Sequence, residues 1–193
     1  YAEAAIILCS VLSAIAADRW PGTQKDRLRF VELLVNYSEQ PLNAKKISVP
    51  LLISQLRKEG CELEVQRLCD GFMPDCSSKI VTGEEVDRFK DEIDAVLPGI
   101  SVRTIKKCSY ANILYEEIRC GYVHQYAPGE RSDSWAMSSS RASVSYVNRI
   151  VDGRSDRLIY YEFNWMVQLI RSIVSSIGKY GPCTEGREYK CWW

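Results

Sequence analysis

Arg119 and His124 are the side chains best suited to chemistry in this sequence. They lie five residues apart in Leu114-Tyr115-Glu116-Glu117-Ile118-Arg119-Cys120-Gly121-Tyr122-Val123-His124-Gln125-Tyr126, and His124 is the single histidine of the chain. Histidine is the side chain whose proton moves near neutral pH without help from its surroundings. Arginine is a permanent planar cation whose N–H fork matches a phosphate. The pair therefore points to proton transfer beside a phosphodiester. An ideal α-helix turns about 500° over five residues, so the two side chains would project about 140° apart. Gly121 between them could mark a kink, or the histidine could be reached from a second subunit. Glu117 stands seven positions before His124 on the same ideal helix face, where it could raise the histidine pKa. The plainer reading makes Arg119 a surface cation paired to Glu116 and His124 a structural residue near a helix end.

The elements around this pair are mostly helical by periodicity. Ile7, Val11, Leu12 and Ile15 fall at helical spacing in a first helix over 2–17, widened by Ile6 and Leu8 and ended at Trp20-Pro21-Gly22. Thr23 is a candidate N-cap for a helix to about Tyr37 that carries Leu28, Val31, Leu34 and Val35. Ser48 and Pro50 start a third helix, because proline in the first turn loses no hydrogen bond. A short helix over 62–69 and a loop over 70–81 follow. Thr82 and Glu85 form a capping box ahead of a stripe of Val86, Phe89, Ile93 and Val96, ended by Pro98-Gly99. One long helix is expected over 102–125, then a loop over 128–140. A β-hairpin over about 143–161 turns at Asp152-Gly153. The last helix spans 162–177. The fold class is mainly α, a helical bundle with a small β-hairpin inserted before the last helix. It forms a single domain over 1–178, with a C-terminal tail over 179–193.

Composition narrows the function classes. The chain has 193 residues, is 46% hydrophobic and 26% charged, and its 25 basic and 25 acidic side chains cancel. Zero net charge argues against a broad duplex-coating surface and leaves room for a local basic cleft. The apolar run over 4–17 is shorter than the ~20 residues a membrane span needs, so no membrane partner is expected. Cys9, Cys61, Cys69, Cys76, Cys108, Cys120, Cys183 and Cys191 include no Cys-x-x-Cys pair. With one histidine they match no zinc template, so no metal or other cofactor is expected, and most read as reduced thiols of a cytoplasmic protein. No P-loop or Gly-x-Ser-x-Gly elbow occurs, which disfavours P-loop nucleotide hydrolysis and serine hydrolysis.

The stretch from Tyr115 to Tyr126 resembles the signature of the HEPN superfamily, compact helical domains with an arginine, four to six residues, then a histidine in a late helix. The order of helices before it and the amphipathic helix after it fit the same likeness. Where that family often carries Asn, Asp or His directly after the arginine, this chain has Cys120. The resemblance implies a metal-independent endoribonuclease acting as a homodimer with a composite site, plausible in a toxin–antitoxin or phage-defence setting with an antitoxin or regulatory protein as further partner. It makes Arg119 and His124 the catalytic residues. An RNA 2′-hydroxyl would attack the adjacent phosphate to leave a 2′,3′-cyclic phosphate and a 5′-hydroxyl. Tyr126, Arg131 and Arg141 would contact RNA, with Glu117 and Cys120 in supporting positions. The alternative is a non-catalytic module of the same shape that binds RNA, a nucleotide or a protein.

Overall fold

The computed structural model describes residues 2–21, 26–73, 80–132, 143–151 and 154–180. Among these, helices dominate, and they run α1 (Ala2–Arg19), α2 (Asp26–Tyr37), α3 (Val49–Lys58), α4 (Glu62–Phe72), α5 (Gly83–Val86), α6 (Lys90–Val96), α7 (Val102–Lys107) and α8 (Tyr110–Ile113). A π-helix (Leu114–Cys120), α9 (Gly121–Gln125) and α10 (Phe163–Tyr180) complete them. Strands β1 (Ile80–Thr82), β2 (Val144–Val151) and β3 (Arg154–Tyr161) form one antiparallel sheet in the order β1-β2-β3.

Sequence signals hold where they are complete within a few residues. Ser48 caps α3, its Oγ accepting the Leu51 N–H at 3.2 Å, with Pro50 in the first turn. Glu85 accepts both the N–H and the hydroxyl of Thr82 at 2.8 Å, which holds its carboxyl below the usual range. The hairpin pairs Val144 with Tyr161 through to Val151 with Arg154. Asp152-Gly153, Thr23, Cys76, Arg141 and the residues from Gly181 onward lie outside the described residues.

Several expectations are corrected. The sheet has a third strand, β1, drawn from the segment expected to be loop, and α4 continues to Phe72. On α1 the buried positions are Ala5, Cys9, Leu12, Ala16 and Arg19, while Ile7 and Val11 face outward at 61% and 40% exposure. Small side chains on the inner stripe let α1 lie close to its neighbours. The last helix runs to Tyr180, past the expected end at 177. The helix expected after Thr82 is interrupted at 87–89, where Ile47 exchanges backbone hydrogen bonds with Arg88. The long helix expected over 102–125 is broken for the same reason. Cys108 accepts the Ser48 N–H at 2.8 Å, and Tyr110 and Ala111 donate to Lys46 and Ala44 at 2.9 and 3.0 Å. The turn and bridge segment over 44–48 thus takes the backbone groups that a continuous helix would have used.

Two apolar clusters result. The larger joins α1, α2, the π-helix and α10 to the sheet through Phe30, Leu34, Ile118, Tyr146, Ile159 and Leu169; the smaller joins α3, α4, α6 and α7 through Leu52, Leu68, Ile93 and Ile105. Asp87 lies fully buried between them and accepts from Tyr110 and Tyr146 hydroxyls and from the Val49 N–H. No helix among the described residues is long and apolar enough to cross a membrane.

Candidate functional site

The segment that carries Arg119 is wound as a π-helix, and α9 with His124 follows directly. Such wide turns recur at functional sites because they re-aim the side chains that follow. Each π step turns less than an α step, so Glu117 and His124 fall out of phase: Glu117 is 7% exposed, whereas His124 is exposed to solvent.

Glu117 instead holds the chain that leaves α9. Its carboxylate accepts the Arg131 Nε–H at 2.5 Å and the Arg131 backbone N–H at 3.0 Å, and its carbonyl accepts the Gly129 N–H at 2.8 Å. The Arg131 carbonyl in turn accepts the Ile159 N–H at 3.0 Å, so one acid ties the π-helix to β3. A Cβ at Gly129 would sit 2.2 Å from Glu117 Oε2, so a larger residue there would push the carboxylate out of this clamp. Arg131, expected as an RNA contact, therefore spends its Nε on this clamp. Glu117→Ala should lower stability by roughly 2–3 kcal/mol, the loss of a charge-assisted pair that is mostly buried. Urea unfolding of Glu117→Ala, Arg131→Ala and the double variant checks it, and additive losses would show that the two do not act as a pair.

Arg119 is half-buried and meets no carboxylate among the described residues. Its guanidinium lies over the Tyr115 ring, 5.3 Å from the centroid, and its Nε is buried without a hydrogen-bond partner. Glu116, the expected partner, pairs with Arg27 of α2 at 3.0 Å. Cys9 and Cys120 adjoin the arginine. Burial pushes the Cys9 thiol up to about 12, against the pull of Arg119. Burial, with the Cys120 thiol next to it, also raises the Tyr115 phenol. A buried N–H with no acceptor is costly.

His124 sits in the last turn of α9, where the helix dipole favours a cation. No hydrogen bond or ion pair joins it to Arg119 within one chain. α9 ends at Tyr126, whose φ of 56° is the left-handed conformation that a bulky residue rarely adopts. Its hydroxyl donates to Glu3 Oε1 at 2.5 Å and holds the Glu3 carboxyl down at about 2. Val123 of α9 and its C-cap Tyr126 are exposed, as are Ile7 and Val11 of α1, a helix that packs against α9.

The structure also brings together residues that sequence reasoning missed. Arg27, Leu28 and Val31 of α2, Val102, Arg103, Lys106 and Lys107 of α7, Asn112 of α8 and Tyr115 line an open cavity of about 1020 Å³. Three of the four cations lie in the short basic run Arg103-Thr104-Ile105-Lys106-Lys107, a signal the sequence did offer; only Arg27, about 75 residues earlier, is joined to them by the fold. Among the described residues no group of three His, Cys, Asp or Glu is placed to hold a metal ion. No protein-family model, curated protein or solved structure matches this chain.

Proposed function

We propose that this chain is a metal-independent endoribonuclease of HEPN type, acting as a homodimer. The observation that carries the reading is Arg119: a guanidinium stacked on Tyr115, its Nε buried and unpartnered, five residues ahead of the exposed His124. A preorganised cation that meets no carboxylate among the described residues stabilises, through its terminal nitrogens, charge that builds on phosphate oxygens during transfer. The RNA 2′-oxygen bonds to phosphorus as the bond to the 5′-oxygen breaks. His124 of one subunit takes the 2′-hydroxyl proton, and His124 of the second copy gives a proton to the leaving 5′-oxygen. The products are a 2′,3′-cyclic phosphate and a 5′-hydroxyl, and DNA is spared for want of the 2′-hydroxyl. Ile7, Val11, Val123 and Tyr126 supply apolar surface that a second copy would cover.

The test is cleavage of labelled single-stranded RNA in EDTA, with Arg119→Ala and His124→Ala beside the wild type. Persistent cleavage with cyclic-phosphate ends, lost in both variants, is the expected result. A folded dimer that cleaves none of several RNAs overturns it. The second reading, a non-catalytic RNA, nucleotide or protein interaction module, draws on the lack of any hydrogen bond or ion pair between Arg119 and His124 within one chain. RNA binding without cleavage, retained in His124→Ala, would favour that module.

A further inference from the structure

We propose that the cavity between α2 and α7 is the channel along which a single-stranded RNA segment reaches Arg119; the inference rests on the nuclease reading for its destination and on the cavity's own chemistry for its ligand. Among the described residues the lining has four cations, Arg27, Arg103, Lys106 and Lys107, and one carboxylate, Asp26, which is ion-paired to Arg29. Its floor is apolar: Leu28, Val31 and the ring of Tyr115. Val102 stands 44% exposed at the edge. Cations around an apolar and aromatic floor suit a chain that alternates phosphates with flat bases, because bases stack on rings while the backbone tracks the charges.

The cavity is a built feature. Arg27 donates from Nη2 to Asn112 Oδ1 at 3.2 Å and pairs through Nη1 with Glu116 at 3.0 Å, so its fork is fixed across one end. Asn112 Nδ2 donates to the Lys106 carbonyl at 2.7 Å, which locks α8 to the end of α7. The Tyr115 ring is set by an edge contact to Phe30, with centroids 5.5 Å apart. Arg103 and Lys107 are exposed and enter no ion pair among the described residues. The connection to the candidate catalytic group is one ring: Tyr115 lines the cavity, and the Arg119 guanidinium lies over that ring with a buried N–H unpartnered. Arg119 does not itself line the cavity, so a strand on the floor reaches it past the Tyr115 ring. At about 1020 Å³ the cavity lies at the upper end of the range that holds a drug-sized ligand. That volume suits several linked nucleotides better than one.

The ligand chemistry, a phosphate bearing a base, could also come from a free nucleotide, and the experiment separates the two. The probe is a fluorescein-labelled RNA of about 12 nucleotides, within the site sizes of single-strand binders. Its riboses are 2′-fluoro, so it cannot attack its own phosphate and binding is read apart from cleavage. Fluorescence anisotropy is followed across a salt series for the wild type and for Arg103→Ala/Lys107→Ala, with AMP as competitor. Both positions are exposed, so folding is not at stake. The double variant is expected to bind at least about tenfold more weakly, and log K against log salt should flatten by about 1.4, near 0.7 for each phosphate that is no longer neutralised. Unchanged affinity and slope, or no binding by the wild type, overturns the channel, even if the protein cleaves RNA. If AMP displaces the oligomer as well as unlabelled oligomer does, the cavity holds a lone nucleotide and the strand assignment fails. A wild type that binds through Arg103 and Lys107 but cleaves nothing supports the channel and defeats the nuclease reading.

Discussion

Asp87→Ala is expected to cost about 3–4 kcal/mol at pH 5, a fall in Tm on the order of 10 °C for a chain of this size. The carboxylate sits where α5 and α6 separate, fully buried, and three elements point donors at it: Tyr110 of α8, Tyr146 of β2 at 2.5 Å and the first N–H of α3, Val49, at 3.0 Å. Alanine leaves the Tyr110 hydroxyl and the Val49 N–H buried without acceptors, while Tyr146 keeps Ser48 Oγ at 2.8 Å. Each orphaned group costs ~1–3 kcal/mol. The pH dependence sharpens the test. Burial pushes the Asp87 carboxyl up to about 7 despite the three donors, against a value near 3.8 when unfolded. The folded state then holds a proton that the unfolded state releases, so this group's contribution is fully present below about pH 4 and is lost as pH rises through about 7. A rise of that size corresponds to about 4 kcal/mol. Wild-type stability should fall across that window. Asp87→Ala should lack the slope and lose less against wild type at pH 8 than at pH 5. Parallel urea midpoints for the two proteins over pH 5 to 8 would refute this account.

The same residue shows why part of the fold was legible in the sequence and part was not. Caps and turns are written within four residues, so Ser48, Pro50 and the Thr82–Glu85 pair announced their helix starts, and alternation announced the hairpin. The breaks at 87–89 and 108–109 arise because the backbone over 44–48 pairs with both, across about 40 and 60 residues of chain that no window contains. Periodicity marked Leu12 correctly but also Ile7 and Val11, because it weighs side-chain size; the packed face of α1 is Ala5, Cys9, Leu12 and Ala16, small apart from the leucine. In the candidate site, spacing singled out Arg119 and His124, yet nearest-neighbour rules misassigned the charges around them. Glu116 pairs with Arg27 and Glu117 with Arg131. Those partners lie across the fold, and their choice leaves Arg119 with a ring and no carboxylate.

Arg119→Ala is expected to lower kcat/KM for RNA cleavage by about 10²–10³, the usual loss when one preorganised donor to developing charge is removed. His124→Ala should lose about 10²–10⁴, as befits a proton-transfer group. His124 is exposed, so its variant should unfold within about 0.5 kcal/mol of wild type, and lost activity cannot then be lost structure. Arg119→Lys discriminates further. A point charge on a flexible stem supplies neither the buried Nε–H nor a planar face for Tyr115, so lysine should recover little of the rate even though the net charge is kept. If the two residues serve one transition state, the double variant should be scarcely worse than the poorer single one, because groups that act as a unit are not additive. A wild-type rate in either alanine variant would remove that residue from the chemistry, and full rescue by lysine would show that Arg119 serves only as a point charge.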